Sequence, residues 1–231
     1  VRTLAETGRR IRVDADRRQR LPCRAGWIVG GPDIGRFHDL LADELNVESL
    51  STENDLERFQ RMVVEPDRKA LGKKCRQDLP AVIALLGEAD PDSLLLEIDA
   101  GICILEGYDI TMDDIEIRRV EKDGFAAATI SDENVGDVSL VIDMSLDDDL
   151  LSKGLARDII RRVQAKRKGL DLDIEASITL AVWVGGLELA DADWAHVQSE
   201  VRAGAASLNE GAAAGDSFQV DGVSVTFSVE S

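Results

Sequence analysis

Between Lys153 and Lys168 the chain carries seven Lys or Arg and a single acidic residue, Asp158. Side chains of this kind grip anions, phosphate foremost, as point charges from Lys and as planar forks from Arg. At about 100° per residue, Lys153, Arg157, Arg161, Gln164 and Lys168 fall within roughly a quarter of a helix circumference, while Leu151, Leu155, Ile159 and Val163 take the other side. The spacing predicts a helix over about 147–168 that packs on one face and presents a cationic ridge on the other. Asp147, Asp148 and Asp149 suit its N-terminus, and Lys166-Arg167-Lys168 before Gly169 suits its C-terminus and cap. Taken alone, such a face is equally well explained as the solvated side of an exposed helix.

The rest of the chain gives the ridge its meaning. Segments 1–24, 68–76 and 153–168 hold 8, 5 and 7 of the 27 Lys and Arg, but only 3, 0 and 1 of the 45 Asp and Glu, in a protein of net charge -18. Uniform acidity would repel phosphate, whereas acidity outside three basic islands confines where phosphate can bind.

Other chemistries find less support. The three cysteines, Cys23, Cys75 and Cys103, are odd in number and far apart, which suits neither a disulfide framework nor a four-ligand zinc site; reduced, partly buried thiols are expected. His38 and His196 stand in different predicted helices and read as packing or surface residues. Asp147-Asp148-Asp149, Asp113-Asp114 and the Asp171/Asp173 pair lack the Gly and terminal Glu of a calcium loop, so capping and solvated turns are the expected roles and no metal site is assigned. Val29-Gly30-Gly31-Pro32 lacks the Lys and following Ser or Thr of a phosphate loop. Trp27, Trp183 and Trp194 could stack on bases, but Trp183 in an alternating strand and Trp194 on a helix stripe favour packing.

The elements that must position the ridge follow from periodicity. A helix end is expected at residues 2–10, a strand from Leu21 to Val29, a helix capped by Asp33 and running to about Asn46, and extended pieces near Val47–Leu50 and Arg58–Glu65. A helix ends at Gly87, and Asp90-Pro91 reads as an N-cap and first-turn pair. Strands then dominate: 102–106, 115–121, 125–130 and 138–143, with Lys122-Asp123-Gly124 as a tight hairpin turn. Beyond the ridge come a strand over 178–184, a helix over 190–203 and a hairpin turning at Asp221-Gly222. The expected fold class is α+β, mostly antiparallel sheet with packed helices, in two small subdomains at 25–109 and 110–231 after a basic lead-in at 1–24. No internal repeat is evident. No apolar run approaches the roughly 18 residues of a membrane helix, and Val1-Arg2-Thr3-Leu4 lacks a signal-peptide core, so a cytoplasmic setting is expected. The missing initiator Met suggests a piece of a longer chain.

Three stretches together resemble one family. Gly8-Arg9-Arg10-Ile11-Arg12-Val13 through Arg18-Gln19-Arg20-Leu21-Pro22 is a basic stretch; Asp43-Glu44-Leu45-Asn46-Val47 is followed by Leu71-Gly72-Lys73-Lys74; Lys122-Asp123-Gly124-Phe125-Ala126 leads to Gly154-Leu155-Ala156-Arg157-Asp158 and Gln164 to Lys168. In order and spacing they resemble the C-terminal region of isoleucyl-tRNA synthetase of the archaeal and eukaryotic type, with Arg20 in place of a usual Pro and Asp158 where Glu is frequent.

The resemblance implies a non-catalytic tRNA-binding region downstream of the catalytic, editing and anticodon-bundle domains, gripping the anticodon arm of isoleucine tRNA. His-Ile-Gly-His and Lys-Met-Ser-Lys-Ser are absent from the sequence, so the ATP and Mg²⁺ of the parent enzyme are expected to bind elsewhere and no cofactor is assigned to this chain. The residues expected to meet tRNA are Arg9, Arg10, Arg17, Arg18, Lys73, Lys74, Lys153, Arg157, Arg161 and Lys168. The alternative is an interaction domain that docks on the upstream anticodon bundle or another protein without touching RNA. An independent hydrolase built on paired carboxylates ranks last.

Overall fold

The computed structural model describes residues 2–31, 34–101, 103–133, 136–211 and 213–230. The chain opens with α1 (Arg2–Asp14), β1 (Cys23–Val29), α2 (His38–Leu45) and β2 (Val47–Glu53). There follow β3 (Gln60–Pro66), α3 (Arg68–Cys75), α4 (Leu79–Glu88), α5 (Pro91–Asp99), β4 (Cys103–Leu105), β5 (Tyr108–Ile110) and β6 (Ile115–Glu121). The remainder is β7 (Phe125–Asp132), β8 (Gly136–Asp143), α6 (Asp148–Gly169), β9 (Ile178–Gly185), α7 (Asp191–Glu200), β10 (Ala203–Glu210), β11 (Asp216–Val220) and β12 (Val223–Glu230). The fold is α+β, with mixed and antiparallel sheets.

Two compact units result, one made of Val1–Glu53 with Ala126–Ser231 and the other of Asn54–Phe125. The division expected at 109/110 falls instead inside the β5 strand of the smaller unit. The Lys122-Asp123-Gly124 turn is present, with Phe125 N donating to Lys122 O, but it closes no hairpin: β6 pairs with β3, and β7 lies beside β8. A turn of this sequence specifies a reversal, and which strands pair across it is decided by tertiary packing.

The larger unit contains the same module twice. In the first, α1 precedes β1, α2 crosses over to the parallel strand β2, and β7–β8 complete a sheet of order β2-β1-β8-β7. In the second, α6 precedes β9, α7 crosses over to the parallel strand β10, and β11–β12 complete a sheet of order β10-β9-β12-β11. The smaller unit is thus inserted into the first module between β2 and β7, where the second passes directly from β10 to β11.

The two modules also share backbone detail. Asp16 and Asp171, just past α1 and α6, both have positive φ (51° and 54°), as do Asn46 and Arg202, which end the crossover helices (51° and 55°). Asn46 O accepts from Cys23 N at 3.0 Å and Arg202 O from Ile178 N at 3.1 Å. Each module has a buried arginine near the end of its first helix. Arg12 donates to Leu45 O (3.0 Å), Asn46 O (2.8 Å), Leu21 O (2.9 Å) and Arg18 O (3.3 Å); Arg167 donates to Val201 O (2.9 Å), Asp173 O (3.1 Å) and Ile174 O (3.2 Å). In both, a guanidinium gathers carbonyls at the end of the crossover helix and in the adjoining loops, adding to the backbone donors already on Asn46 O, Arg18 O and Asp173 O and supplying the donor to Leu45 O, Leu21 O and Val201 O.

Each module buries its own core. In the second, alternation in β9 turns Ile178, Leu180, Val182 and Val184 against Leu155, Ile159 and Val163 of α6 and Val197 of α7. In the first, Leu4 and Ile11 of α1 and Leu41 and Leu45 of α2 pack with Ile28, Leu140 and Ile142. Gly8 lets α1 approach α2 closely, since a Cβ there would run into the Leu45 side chain. The smaller unit packs Leu71, Val82, Leu86, Leu94 and Ile98 with Val64, Cys103, Ile110 and Ile115.

Helix ends follow the capping chemistry. Asp90 accepts from Ser93 N at 3.0 Å, with Pro91 in the first turn of α5. The expected Asp33 cap lies outside the described residues; α2 begins at His38, after a 3₁₀ turn over Gly35–Phe37. Gly169 is the last residue of α6 and not its cap, the left-handed residue being Asp171. The helix expected to reach 203 ends at Glu200, and the chain passes through Val201 and Arg202 into β10: Ala203–Glu210 shows no apolar alternation, and pairing with β9 makes it a strand.

Candidate nucleic-acid interface

Helix α6 starts at N-cap Asp147, whose carboxylate accepts from Leu150 N at 2.9 Å. Leu155, Ile159 and Val163 are buried, as is Leu150, while the expected Leu151 is half-buried; Arg157, Arg161, Gln164 and Lys168 are exposed and Lys153 is half-buried, so the helix has two faces largely as its sequence predicts. Gly154 sits where α6 crosses the basic lead-in: a Cβ there would lie 2.7 Å from Leu21 Cδ1. This close crossing brings the basic islands at 1–24 and 153–168 together within the larger unit. The third island, on α3, belongs to the smaller unit.

The front of the ridge is consumed by ion pairs within the chain. Lys153 Nζ reaches Glu48 (2.5 Å) and Asp149 (2.8 Å). Arg24 reaches Asp147 (2.5 Å), Glu48 (2.6 Å) and Asp149 (2.9 Å). The backbone N–H of Leu150, then Arg24, lowers the pKa of Asp147; Lys153, then Arg24, lowers that of Asp149. The same hydrogen bonds raise Lys153 (Asp149, then Glu48) and Arg24 (Asp147, Asp149, then Glu48). These cations fasten the start of α6 to β1 and β2.

Midway along the helix Asp158 is buried among cations. Arg18 lies at 2.8 Å, Arg20 at 3.5 Å and Arg161 at 3.9 Å, and Arg18 also pairs with Asp221 of the β11–β12 turn. Burial opposes the charge on Arg18, but its hydrogen bonds to Asp158 and Asp221 outweigh that and raise its pKa. Arg157 Nη1 donates to Asn46 Oδ1 (2.5 Å) and Arg20 O (3.2 Å). Gln164 donates to Glu200 O at 2.7 Å, and Lys166 pairs with Asp216 at 2.9 Å. What remains open is the outer edge of Arg157, most of Arg161 and Arg20, and Lys168, for which no hydrogen bond or ion pair occurs among the described residues. Together they form a cationic strip able to hold an extended polyanion.

The other expected contacts divide. Arg17 is buried and donates to Pro22 O (2.8 Å) and Ser145 O (3.4 Å), so it holds the fold and is withdrawn from the surface set. Arg9 is exposed and pairs with Glu44 at 2.5 Å; Arg10 is exposed. In the smaller unit Lys73 is exposed, whereas Lys74 pairs at 2.7 Å with the buried Asp114, which also accepts from Thr111 N and Oγ1. Burial would raise the Asp114 pKa, and the Lys74 and Thr111 hydrogen bonds overcome this and lower it. Lys74 therefore anchors α3.

Sequence reasoning missed Arg20, Asn46 and Asp158 as organisers. Arg20 lay within a recognised island, and Asn46, just after Leu45 and before a β-branched residue, carried the signal of a left-handed helix end. Asp158 stood out only as the lone anion of the ridge; apart from Arg161 its partners, Arg18 and Arg20, lie far away in sequence. Trp194 packs against the second module's core as expected. Among the described residues no group of three or more His, Cys, Asp or Glu could hold a metal ion. No described helix is long and apolar enough to cross a membrane.

No family model matches the chain. It is similar to isoleucine–tRNA ligases of several organisms: 32% identical to that of Methanocaldococcus jannaschii over 71% of this chain and 15% of the relative, and 31% identical to that of Thermobifida fusca over 95% of this chain and 21% of the relative. A cytoplasmic isoleucine–tRNA ligase of Arabidopsis thaliana is 30% identical over 68% of this chain and 14% of the relative. The chain thus spans between about a seventh and a fifth of the length of these relatives.

Proposed function

This chain belongs to the isoleucine–tRNA ligase family, and on that premise we propose that it is a non-catalytic RNA-binding region at the C-terminal end of such an enzyme, gripping the anticodon arm of isoleucine tRNA in the cytoplasm. The observation that carries the proposal is the strip formed by Arg20, Arg157, Arg161 and Lys168, left exposed on a protein of net charge -18. Guanidiniums spaced along a helix suit successive phosphates, and polar groups beside them suit splayed loop bases. Arg9 and Arg10 are further exposed cations of the same unit assigned to RNA contact, and Lys73 is a separate candidate on the smaller unit. Activation of isoleucine, with its ATP and Mg²⁺, is assigned to the rest of the enzyme, because neither adenylate-forming signature occurs in the sequence.

The competing reading is docking without RNA, and the ion pairs of Arg24 and Lys153 favour it for the front of α6. Equilibrium binding of isoleucine tRNA across a range of salt concentrations separates the two. The three or four open cations of the strip alone should give log K against log[salt] a slope of about 2 to 3 in magnitude, and any further cation engaged steepens it. An affinity independent of salt, or no binding at low salt, favours docking.

A further inference from the structure

Asn46 ends α2 in the left-handed conformation, and the second module shows what that position requires. Arg202 stands there with the same φ sign and the same backbone bonds: its N–H donates to Ser199 O as Asn46 N–H donates to Asp43 O, and its carbonyl accepts from β9 as that of Asn46 accepts from β1. The turn therefore does not need an amide side chain. Nevertheless both ends of the Asn46 amide are engaged, Nδ2 donating to Gln19 O at 2.8 Å and Oδ1 accepting from Arg157 Nη1 at 2.5 Å. Because Gln19 O can only accept, the amide has a single workable orientation, with its oxygen towards Arg157.

Arg157 is held at that one nitrogen, by Asn46 and by Arg20 O at 3.2 Å. Its Nε and Nη2 have no hydrogen bond or ion pair among the described residues, and the side chain is exposed. A guanidinium clamped at one corner and bare along its outer edge has already lost much of the freedom that anion binding would remove. Arg18 and Lys153, by contrast, are neutralised by carboxylates.

We propose that Asn46 is a positioning residue that presets Arg157 for one backbone phosphate of the bound RNA. This rests on the RNA-binding reading above and adds to it the residue that makes one cation more effective than its neighbours.

The test is a double-mutant cycle on this chain, with the isoleucine tRNA transcript as probe, fluorescence anisotropy at several salt concentrations as readout, and the melting temperature of every variant recorded. Asn46→Gly retains the left-handed turn. It should weaken binding about three- to tenfold with the salt slope unchanged, and have no further effect in an Arg157→Ala background. Arg157→Ala alone should reduce the magnitude of the slope by about one. Asn46→Asp, which offers Arg157 a competing carboxylate, should weaken binding to the level of Arg157→Ala, and it decides the matter if the glycine variant fails to fold. Should Asn46→Gly bind like wild type, or weaken binding equally in both backgrounds, the positioning role is overturned while the RNA-binding reading stands. An Arg157→Ala variant with unchanged affinity and slope likewise overturns the positioning role and leaves the RNA-binding reading to Arg20, Arg161 and Lys168.

Discussion

Arg18 and Asp158 meet at 2.8 Å across 140 residues of sequence, the carboxylate buried and the guanidinium about one-third exposed. The pair ties the lead-in of the first module to the first helix of the second, and through Asp221 to the last hairpin. Partial exposure screens it, so Asp158→Ala should lower stability by about 1–2 kcal/mol. Thermal denaturation measures this. An unchanged melting temperature would mean that the contact contributes nothing to joining the modules.

The paired arginines should matter more. Arg12→Ala leaves Leu45 O and Leu21 O, both in buried contacts, without their side-chain donor and should cost about 3 kcal/mol or more. Arg167→Ala should resemble it in the second module, where the bond to Val201 O is buried. Urea denaturation of each variant checks the pair, and a difference of several-fold between the two losses would break the proposed equivalence.

Acid should loosen the start of α6. Asp147 and Asp149 have pKa values below the ordinary 3.8 in the folded chain. A depressed pKa contributes stability that is fully present above the unfolded value and is lost as pH falls through the folded one. The melting temperature should therefore be flat from pH 7 to about pH 5 and decline below about pH 4. Asp147→Asn should make that decline shallower.

The fold class, α6 with its two faces, the Asp90 cap and the Asp221-Gly222 hairpin were legible because each is written in local periodicity or in a capping residue. The twofold module was not. Its equivalences are held by backbone conformation at Asp16 and Asp171, and at Asn46 and Arg202, where the last pair shares no side-chain chemistry. The insertion was hidden for a related reason: β2 and β7 belong to one sheet with the smaller unit between them, and no Pro/Gly/Ser-rich linker marks either junction. At the candidate interface, helical phase identified Arg157, Arg161 and Lys168 as surface cations. It could not foresee that Arg17 turns inward or that Arg24 and Lys153 are neutralised, because their partners come from other elements.

All three cysteines are free and buried, and Cys103 is pushed up to about 11 by burial and then by its hydrogen bond to Glu97. The native chain should react slowly with Ellman's reagent at neutral pH and release three equivalents of thiol once unfolded in urea. Rapid titration of a thiol in the native chain would show that one of these cores opens readily.

The RNA-binding role stands or falls on Arg157 and Arg161. Isoleucine tRNA binding by the Arg157→Ala, Arg161→Ala double variant, followed as a function of salt, should show weaker affinity and a slope lower in magnitude by about one or two. Its melting temperature should fall only slightly, because the Arg157 bonds to Asn46 and Arg20 are exposed, the Arg161–Asp158 contact is long, and both side chains lie away from Leu155, Ile159 and Val163. If the double variant stays folded while its tRNA affinity and salt slope match those of wild type, the strip is not the RNA contact and the RNA-binding assignment fails.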